Sequence, residues 1–448
     1  MLSFQTITRL IPHTSGTIYI AYSGGIDSQV LLHLCATQMH LHSKIVAVYV
    51  NHGLQTAADA WAEHCRIQAQ QLGVQFRCIK VDAKPDKGES PEAAARNARY
   101  QALQALLQKG DLILLAQHRE DQMETVLLQL FRGAGVQGLA AMPDSVRFGL
   151  GTMIRPLLNV AKADIQAYAR ERDLQWVEDP SNFSHDFDRN YLRNAIVPLL
   201  KQRWPSLDKT ISRSAQHCSE TVTLLDDWGH KALLQIINLE NNSLALDKLA
   251  DFSDVQSNWL LRLWLQSFGL NPPSQALLHS IKKQLIQARV DANPSIAIQD
   301  RVLKKYRQHL FCLHPGHLVK LPKESKWPSE QSVLSLPNGY TLSRVEASSG
   351  ISQKIWHTSE ITLKARSGGE KLKLPGRDGQ HCLKKLYQEA GIPPWNRDAL
   401  PLLYLNDRLA AVPGLWVADW AFNPRSPSEC YQLTWQAPRN HVKIDLKQ

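Results

Sequence analysis

The sequence predicts an α/β fold: a doubly wound parallel sheet, followed by a mostly helical domain and a small mixed α/β domain at the C-terminus. Three observations carry this. Up to Arg172, continuous apolar runs alternate with stretches of helical periodicity, which is how a parallel sheet covered on both faces reads. The first apolar run breaks at Ser23-Gly24-Gly25 and passes directly into a helical pattern. Beyond Trp204-Pro205 the alternation stops, and long helical stretches replace it. These shifts place domains at 1–215, 216–330 and 350–448.

Taken in order, Ile18 to Tyr22 is β-branched and aromatic, hence a buried strand. Val30, Leu31 and Leu34 then fall at helical spacing. Lys44 to Val50 is a second strand, ending in the loop Asn51-His52-Gly53-Leu54. A helix over Ala58 to Gly73 leads to a third strand, Gln75 to Val81. After a polar loop from Lys84, Ser90 caps a helix that opens on Pro91 and runs to about Lys109. Asp111 to Ala116 is the fourth strand, and Val126, Leu127 and Leu130 mark the next helix. Gly133-Ala134-Gly135-Val136-Gln137-Gly138 matches the dinucleotide fingerprint in its letters. It follows the helix through Leu130-Phe131-Arg132 rather than a strand, so it reads as a helix end and loop, with Arg132 available to phosphate. Ile154 to Leu158, a helix from about Ala161 to Arg172, and a polar loop through Asp179-Pro180-Ser181-Asn182 complete the first domain.

In the middle, Ile211 to Ile237, Gln256 to Phe268 and Ser274 to Gln287 read as helices, and Ser295 to Ile298 and Leu310 to Leu313 as short strands. Lys282, Lys283, Lys304, Lys305 and Arg307, beside Tyr306, form a candidate RNA-facing surface, with a solvated face as the plain alternative. His314 to Ser329 reads as a linker, and Leu336 to Tyr340 as a hairpin turn. A last domain starts near Ile355, with a helix at Leu383 to Ala390 and strands at Leu402 to Leu405 and Leu409 to Val412. It carries Arg366, Lys371, Lys373, Arg377, Lys384 and Lys385.

Ligands of open α/β sheets bind at the carboxyl ends of the strands. Ser23 to Ser28, Asn51-His52 and Gln117-His118 all fall there. Strand, glycine turn and helix together aim free N–H groups and the positive end of a helix at an anion. Gly24 and Gly25 let a phosphate approach the backbone, and Ser23 and Ser28 offer hydroxyls. Asp27 beside phosphates is repulsive unless a cation lies between, so it reads as a Mg²⁺-side residue. The plain alternative is an acid complementing the helix dipole. Asp121 and Glu124 are three apart and share one helix face. Arg189 and Arg193, four apart, can do the same and close over the cleft. His118 alone reads as a structural loop histidine.

At 448 residues, each domain can bury its own core. Hydrophobic content of 44% and charged content of 21% fit a soluble protein, and no long charge-free run suggests a membrane span. The N-terminus lacks a basic start followed by an apolar core, so no secretory signal is expected. The seven cysteines are scattered and form no Cys-x-x-Cys. That argues against a disulfide framework or a zinc or iron–sulfur site, and fits a reducing cytoplasm. A net charge of +10 implies an acidic partner, most commonly nucleic acid.

Ser23-Gly24-Gly25-Ile26-Asp27-Ser28 after a strand resembles the phosphate loop of the N-type ATP pyrophosphatases (PP-loop proteins), and no kinase-type P-loop occurs in the chain. Further motifs follow: Val50 to Leu54, Glu92 to Arg96 with Arg99-Tyr100, Asp121 to Thr125 with Arg132-Gly133, Arg155 to Leu158, Asp179 to Asn182, and Arg189-Asn190. Their order resembles the tRNA(Ile)-lysidine synthetase family, densely over roughly the first 200 residues and again in the C-terminal domain. Gln117 departs from it, standing where the family usually has a first histidine.

The resemblance implies a tRNA-modifying ligase that uses ATP and Mg²⁺. It would adenylate the wobble cytidine of tRNA(Ile) with a CAU anticodon, then join free L-lysine to it. Ser23, Gly24, Gly25, Ile26, Asp27, Ser28, Asn51 and His52 would bind ATP, with Mg²⁺ at Asp27. Asp27, Asp121, Glu124, Arg189 and Arg193 would be catalytic, with the lysine and metal roles of Asp121 and Glu124 left open. The setting is the cytoplasm, with no membrane partner, and a homodimer is carried as one assembly. The rivals are a PP-loop tRNA thiolase, which would need cysteines near the site, and a non-catalytic RNA-binding protein, which would not need the acids.

Overall fold

The computed structural model describes residues 2–53, 57–85, 91–180, 184, 187–289, 294–318, 321–337, 339–424 and 429–436. Leu54, the loop 86–90 with its Ser90 cap, the side chain of Glu92, Ser181-Asn182 and Asn338 lie outside them. The chain forms two compact units, Met1–Leu225 and Asp226–Gln448.

The N-terminal unit is built on six strands: β1 (Ile18–Ala21), β2 (Ile45–Asn51), β3 (Gln75–Lys80), β4 (Leu112–Leu114), β5 (Ser145–Phe148) and β6 (Gly151–Ile154). Their order is β3-β2-β1-β4-β6-β5. All pairs are parallel except the β5–β6 hairpin. Both faces are covered, as the continuous apolar strands require. On one face Ile18 and Ile20 pack with Val30, Leu31 and Leu34 of the Ile26–Ala36 helix and with Ile165 of the Lys162–Glu171 helix. On the other, Val48, Ile113 and Leu115 pack with Leu103 and Leu107. Each such fully buried aliphatic side chain contributes roughly 1.5–3 kcal/mol.

Chain order runs outward from β1 to β3 in one direction and from β4 to β6 in the other. The loops after β1 and β4 therefore diverge, and a cleft opens between them at this switch point. The β5–β6 hairpin was not expected from the sequence. It turns through Gly149, whose φ of +59° a β-carbon would resist.

The Asp226–Gln448 unit contains the predicted helices, at Asp254–Gln266 and Gln275–Ile281, the first with a Ser253 cap. It also contains a five-stranded antiparallel sheet: β7 (Ile237–Asn238), β8 (Ser243–Ala245), β9 (Ser295–Ile298), β10 (Arg301–Tyr306) and β11 (His309–Leu313), in the order β7-β8-β11-β10-β9. Arg301 to Tyr306, assigned no element from the sequence, is thus an interior strand.

Several polar groups on and around this strand are used inside the unit. Lys305 Nζ donates to the Ile286 and Ala288 carbonyls at 2.7 and 3.0 Å. Arg307 donates to the Gln388 carbonyl, and Tyr306 accepts from Arg397 at 3.0 Å. Lys282 pairs with Asp254. These contacts give Lys282, Lys305, Tyr306 and Arg307 structural partners inside the unit.

Two further five-stranded sheets enclose a core around Trp327, Trp356 and Tyr340. The stretch read as a linker ends inside this core. Glu324–Lys326 pairs with Ile361–Lys364, and Trp327 is 1% exposed. The hairpin at Leu336 to Tyr340 joins Val333–Ser335 to Thr341–Ala347, as expected.

Candidate active site in the N-terminal unit

Gly24 adopts φ +82°, and a β-carbon there would meet Cys65 Sγ at 2.8 Å, so this turn admits only glycine. Gly25 is the N-cap of the Ile26–Ala36 helix. Ser28 Oγ donates to the Gly25 carbonyl at 2.9 Å and accepts from Ser23 N at 3.2 Å. The Gly24 carbonyl accepts from Val177 N at 2.9 Å, which ties the turn to the segment after the Lys162–Glu171 helix. The turn is therefore held from within, with a helix N-terminus behind it, where anions bind.

A cleft of about 310 Å³ opens above it. Ser23, Gly25, Asp27, Ser28, Gln117 and Asp121 line its polar part; Val48, Tyr49, Val50, Trp61 and Leu103 line an apolar part, with His52 and Arg99 alongside. Of the sequence-predicted residues, Ser23, Gly25, Asp27, Ser28, His52 and Asp121 reach this cleft. Ile26 packs against the sheet core instead. The Asn51 amide is taken up by Asp59 Oδ1 at 2.8 Å and Gly53 N at 2.9 Å, which shapes the loop carrying His52. Trp61 and Tyr49 were not foreseen, because nothing local in their sequence marks them, and Arg99 stood only within the Arg99-Tyr100 motif, with no cleft role given to it. A larger cleft of about 570 Å³ in the C-terminal unit, around Trp416 and Trp435, has no charged side chain in its lining and so offers no comparable chemistry.

Asp27 Oδ1 is buried with no hydrogen-bond partner. Burial pushes its carboxyl above the ordinary value, and Asp121 adds to this; His118, Lys162 and Arg193 pull the other way. Beside it, His118 is almost fully buried among three acids. Its Nε2 lies 3.8 Å from Asp27 and 3.4 Å from Asp121, and its Nδ1 is 3.3 Å from Glu120 without hydrogen-bond geometry. Burial alone would lower this imidazole, but Glu120, Asp121 and Asp27 outweigh it and raise it. His118 is thus a member of the acidic cluster, with its imidazole raised by the acids around it, rather than an isolated loop histidine.

Asp121 and Glu124 do share a face of the Arg119–Phe131 helix, and both arginines meet them there. Arg193 donates to Glu124 Oε1 at 2.7 Å, to Glu124 Oε2 at 2.8 Å and to Asp121 Oδ1 at 3.0 Å. Arg189 donates to Glu124 Oε2 at 2.9 Å and to the Asp121 carbonyl at 3.0 Å. Arg193 sits in a π-helical turn, Leu192–Ile196, of the kind often found at functional sites. Glu124 is 2% exposed and saturated by guanidinium donors, whereas Asp121 also faces the cleft. Burial would raise the Asp121 carboxyl, but His118, Arg189 and Arg193 hold it below its usual range.

No cluster of three or more metal-ligating side chains occurs among the described residues. Mg²⁺ needs none: it keeps several waters and is held by one or two carboxylates plus phosphates. The unpartnered Asp27 oxygen next to Asp121 fits that donor set.

A glycine-turn phosphate cradle at the switch point of a parallel sheet, with acids facing it, defines a PP-loop ATP-binding protein. Residues 3–200 match the PP-loop domain model, 244–311 the TilS substrate binding domain, and 361–435 the TilS substrate C-terminal domain. The chain is 40% identical to the tRNA(Ile)-lysidine synthase of Methylococcus capsulatus, over 91% of this chain and 93% of that one. It is 38% identical to that of Pectobacterium atrosepticum, over 94% and 95%. The chain belongs to the tRNA(Ile)-lysidine synthase family. Among solved structures, the U34-tRNA thiolase NcsA of Methanococcus maripaludis is 15% identical, with a TM-score of 0.41 over 48% of this chain and 78% of that one.

Proposed function

We propose that this enzyme activates the wobble cytidine of a tRNA(Ile) with a CAU anticodon and replaces its 2-oxygen with lysine. The base oxygen attacks the α-phosphorus of ATP, the bond to the β-phosphate oxygen breaks, and pyrophosphate leaves. The ε-amine of free lysine then attacks carbon 2. The carbon–oxygen bond breaks, AMP leaves with that oxygen, and the amine gives up a proton.

The phosphate cradle beside an unpartnered Asp27 oxygen and the cleft-facing Asp121 carries this reading. Ser23, Gly25 and Ser28 suit holding the pyrophosphate still, which in-line displacement requires. Asp27 would hold Mg²⁺; when bound, it would neutralise charge on the phosphates.

Lysine arrives as an ammonium of pKa about 10.4, so deprotonation near pH 7 costs about 4–5 kcal/mol. Asp121, held ionised, suits binding that ammonium. Glu124 suits bracing Arg189 and Arg193 around it. The Trp61, Tyr49 and Val50 side of the cleft suits a nucleobase.

Residues 1–215 would carry the chemistry, and 216–330 and 350–448 would bind tRNA. The reaction would run in the cytoplasm. The homodimer is an assembly to be tested by mass in solution.

The deciding measurement is AMP release with wild-type protein, omitting tRNA or lysine in turn. AMP release that depends on both supports the ligase. AMP release with neither, or demand for a sulfur donor in place of lysine, sinks it.

A further inference from the structure

Gln117 and Arg155 follow neighbouring parallel strands. β4 pairs with β6, and Leu115 N donates to the Ile154 carbonyl at 2.9 Å, so the two side chains leave the sheet together. Arg155 is 6% exposed. Its Nη1 donates to the Pro143 carbonyl at 2.7 Å, and its Nε to Gln117 Oε1 at 2.6 Å. A guanidinium only donates. The Gln117 atom facing it must therefore be the oxygen, which fixes the amide orientation by chemistry. The Nε2 group is then the amide donor that Arg155 does not engage. Gln117 itself lines the cleft beside Asp121.

We infer that Gln117 is a substrate-contacting donor and that Arg155 is the residue that positions it. The polar end of the cleft is otherwise rich in carboxylates, Asp27 and Asp121. An oxygen-bearing substrate group entering there needs an uncharged or positive donor. The oriented amide supplies one without adding charge. Its partner is an acceptor oxygen of the bound substrates, either on ATP or on the target base. This rests on the reaction proposed above.

The test is Gln117→Glu in the full-length protein. Glutamate keeps the shape and the acceptor that Arg155 requires, removes the donor and adds one negative charge. Loss of one hydrogen bond with a charge opposed to the ligand oxygen lowers kcat/KM by at least about tenfold. The melting temperature stays at the wild-type value. Gln117→Met is the counterpart: it leaves the buried Arg155 Nε without its acceptor and lowers the melting temperature.

Calorimetry with ATP alone then locates the acceptor. Weaker ATP binding by the Glu variant puts it on the nucleotide; unchanged ATP binding with a raised KM for tRNA puts it on the base. A Glu variant with kcat/KM within about twofold of wild type, below what one lost hydrogen bond costs, overturns the inference. So does a Glu variant that loses stability as the Met variant does. Wild-type protein is assayed in parallel. If it made no lysidine, the proposed reaction would fall, while the ATP-binding comparison would still judge Gln117.

Discussion

In the N-terminal unit, Asp27, His118, Glu120, Asp121, Glu124 and Arg193 crowd into one largely buried cluster. In the C-terminal unit, Lys326 pairs with Glu360, Lys364 with Asp407, and Lys373 with Asp419, each with at least one partner well exposed. Exposed pairs of this kind contribute about 0–1 kcal/mol, and nothing is strained by solvating them. A buried cluster of the first kind costs desolvation at every member. The difference separates two uses of charge. Where ionisable groups are costly to assemble and a buried carboxylate oxygen beside a phosphate cradle is left without a hydrogen bond, the assembly suits a ligand. Where they are dispersed in exposed pairs, they serve solubility, packing and long-range attraction to an acidic partner.

The sharpest break in that comparison is Asp27→Asn. In a site that works by electrostatic stabilisation of a transferring phosphoryl group, losing such a group costs on the order of 10²–10³ in turnover. Stability should hold or rise, because burial already disfavours this carboxylate. Pyrophosphate release at the wild-type rate would make Asp27 an ordinary helix-end acid.

Glu124→Gln comes next and differs in kind. Its carboxylate is 2% exposed and receives three guanidinium donors. Removing one partner from such a pair costs about 3–5 kcal/mol, and toward the lower end here, because Arg189 and Arg193 are 25% and 29% exposed. Turnover and melting temperature should fall together. Asp121→Asn should lose turnover with a smaller loss of stability, since its side chain also faces the cleft. Equal melting temperatures for the two variants would remove the distinction between brace and ligand group.

A smaller effect tests the other unit. Lys384 and Lys385 are exposed. If they meet tRNA phosphates, each Ala variant lowers the salt slope of tRNA binding by about 1 and leaves kcat alone. Lys305→Ala should do the reverse, lowering the melting temperature with an unchanged slope, because its ammonium caps the Ile286 and Ala288 carbonyls.

How legible each feature was in the sequence follows from its range. β1 to β4 were visible because buried parallel strands are continuous apolar runs. The phosphate loop was visible because six consecutive residues make it. Strand β10 was obscured because Arg301-Val302-Leu303-Lys304-Lys305-Tyr306 does not alternate strictly, and the acceptors of Lys305 lie elsewhere in the chain. The strand Glu324–Lys326 is three residues long, too short to stand out from a linker. Spacing alone put Asp121 and Glu124 on one helix face. What distinguishes them comes from Arg189 and Arg193, which lie 65 and 69 residues from Glu124. The Arg155–Gln117 contact spans 38 residues and depends on β4 and β6 being neighbours, which no local pattern states.

The smallest expected effect concerns pH. His118 is raised above its ordinary value of 6.5, so the stability it contributes is complete below that value and is lost as pH rises through its folded value. Glu120 is held down to about 2 and Asp121 below its ordinary 3.8; burial opposes both shifts, but His118 and other cationic or donor groups outweigh it. Their contribution is present above the ordinary carboxylate values and is lost on acidification. The cluster is therefore most stabilising between those limits. His33 and His52 run the other way. Burial, assisted by Arg172 and by Arg99, holds them below 6.5, so they favour folding as pH rises. The raw slope of stability with pH mixes these terms, and the readout must be the difference between wild type and His118→Gln. That difference should be largest at pH 5.5–6, with wild type the more stable, and should shrink steadily as pH rises through the folded value of His118. A gap that stayed constant with pH would mean that His118 contributes through packing rather than charge.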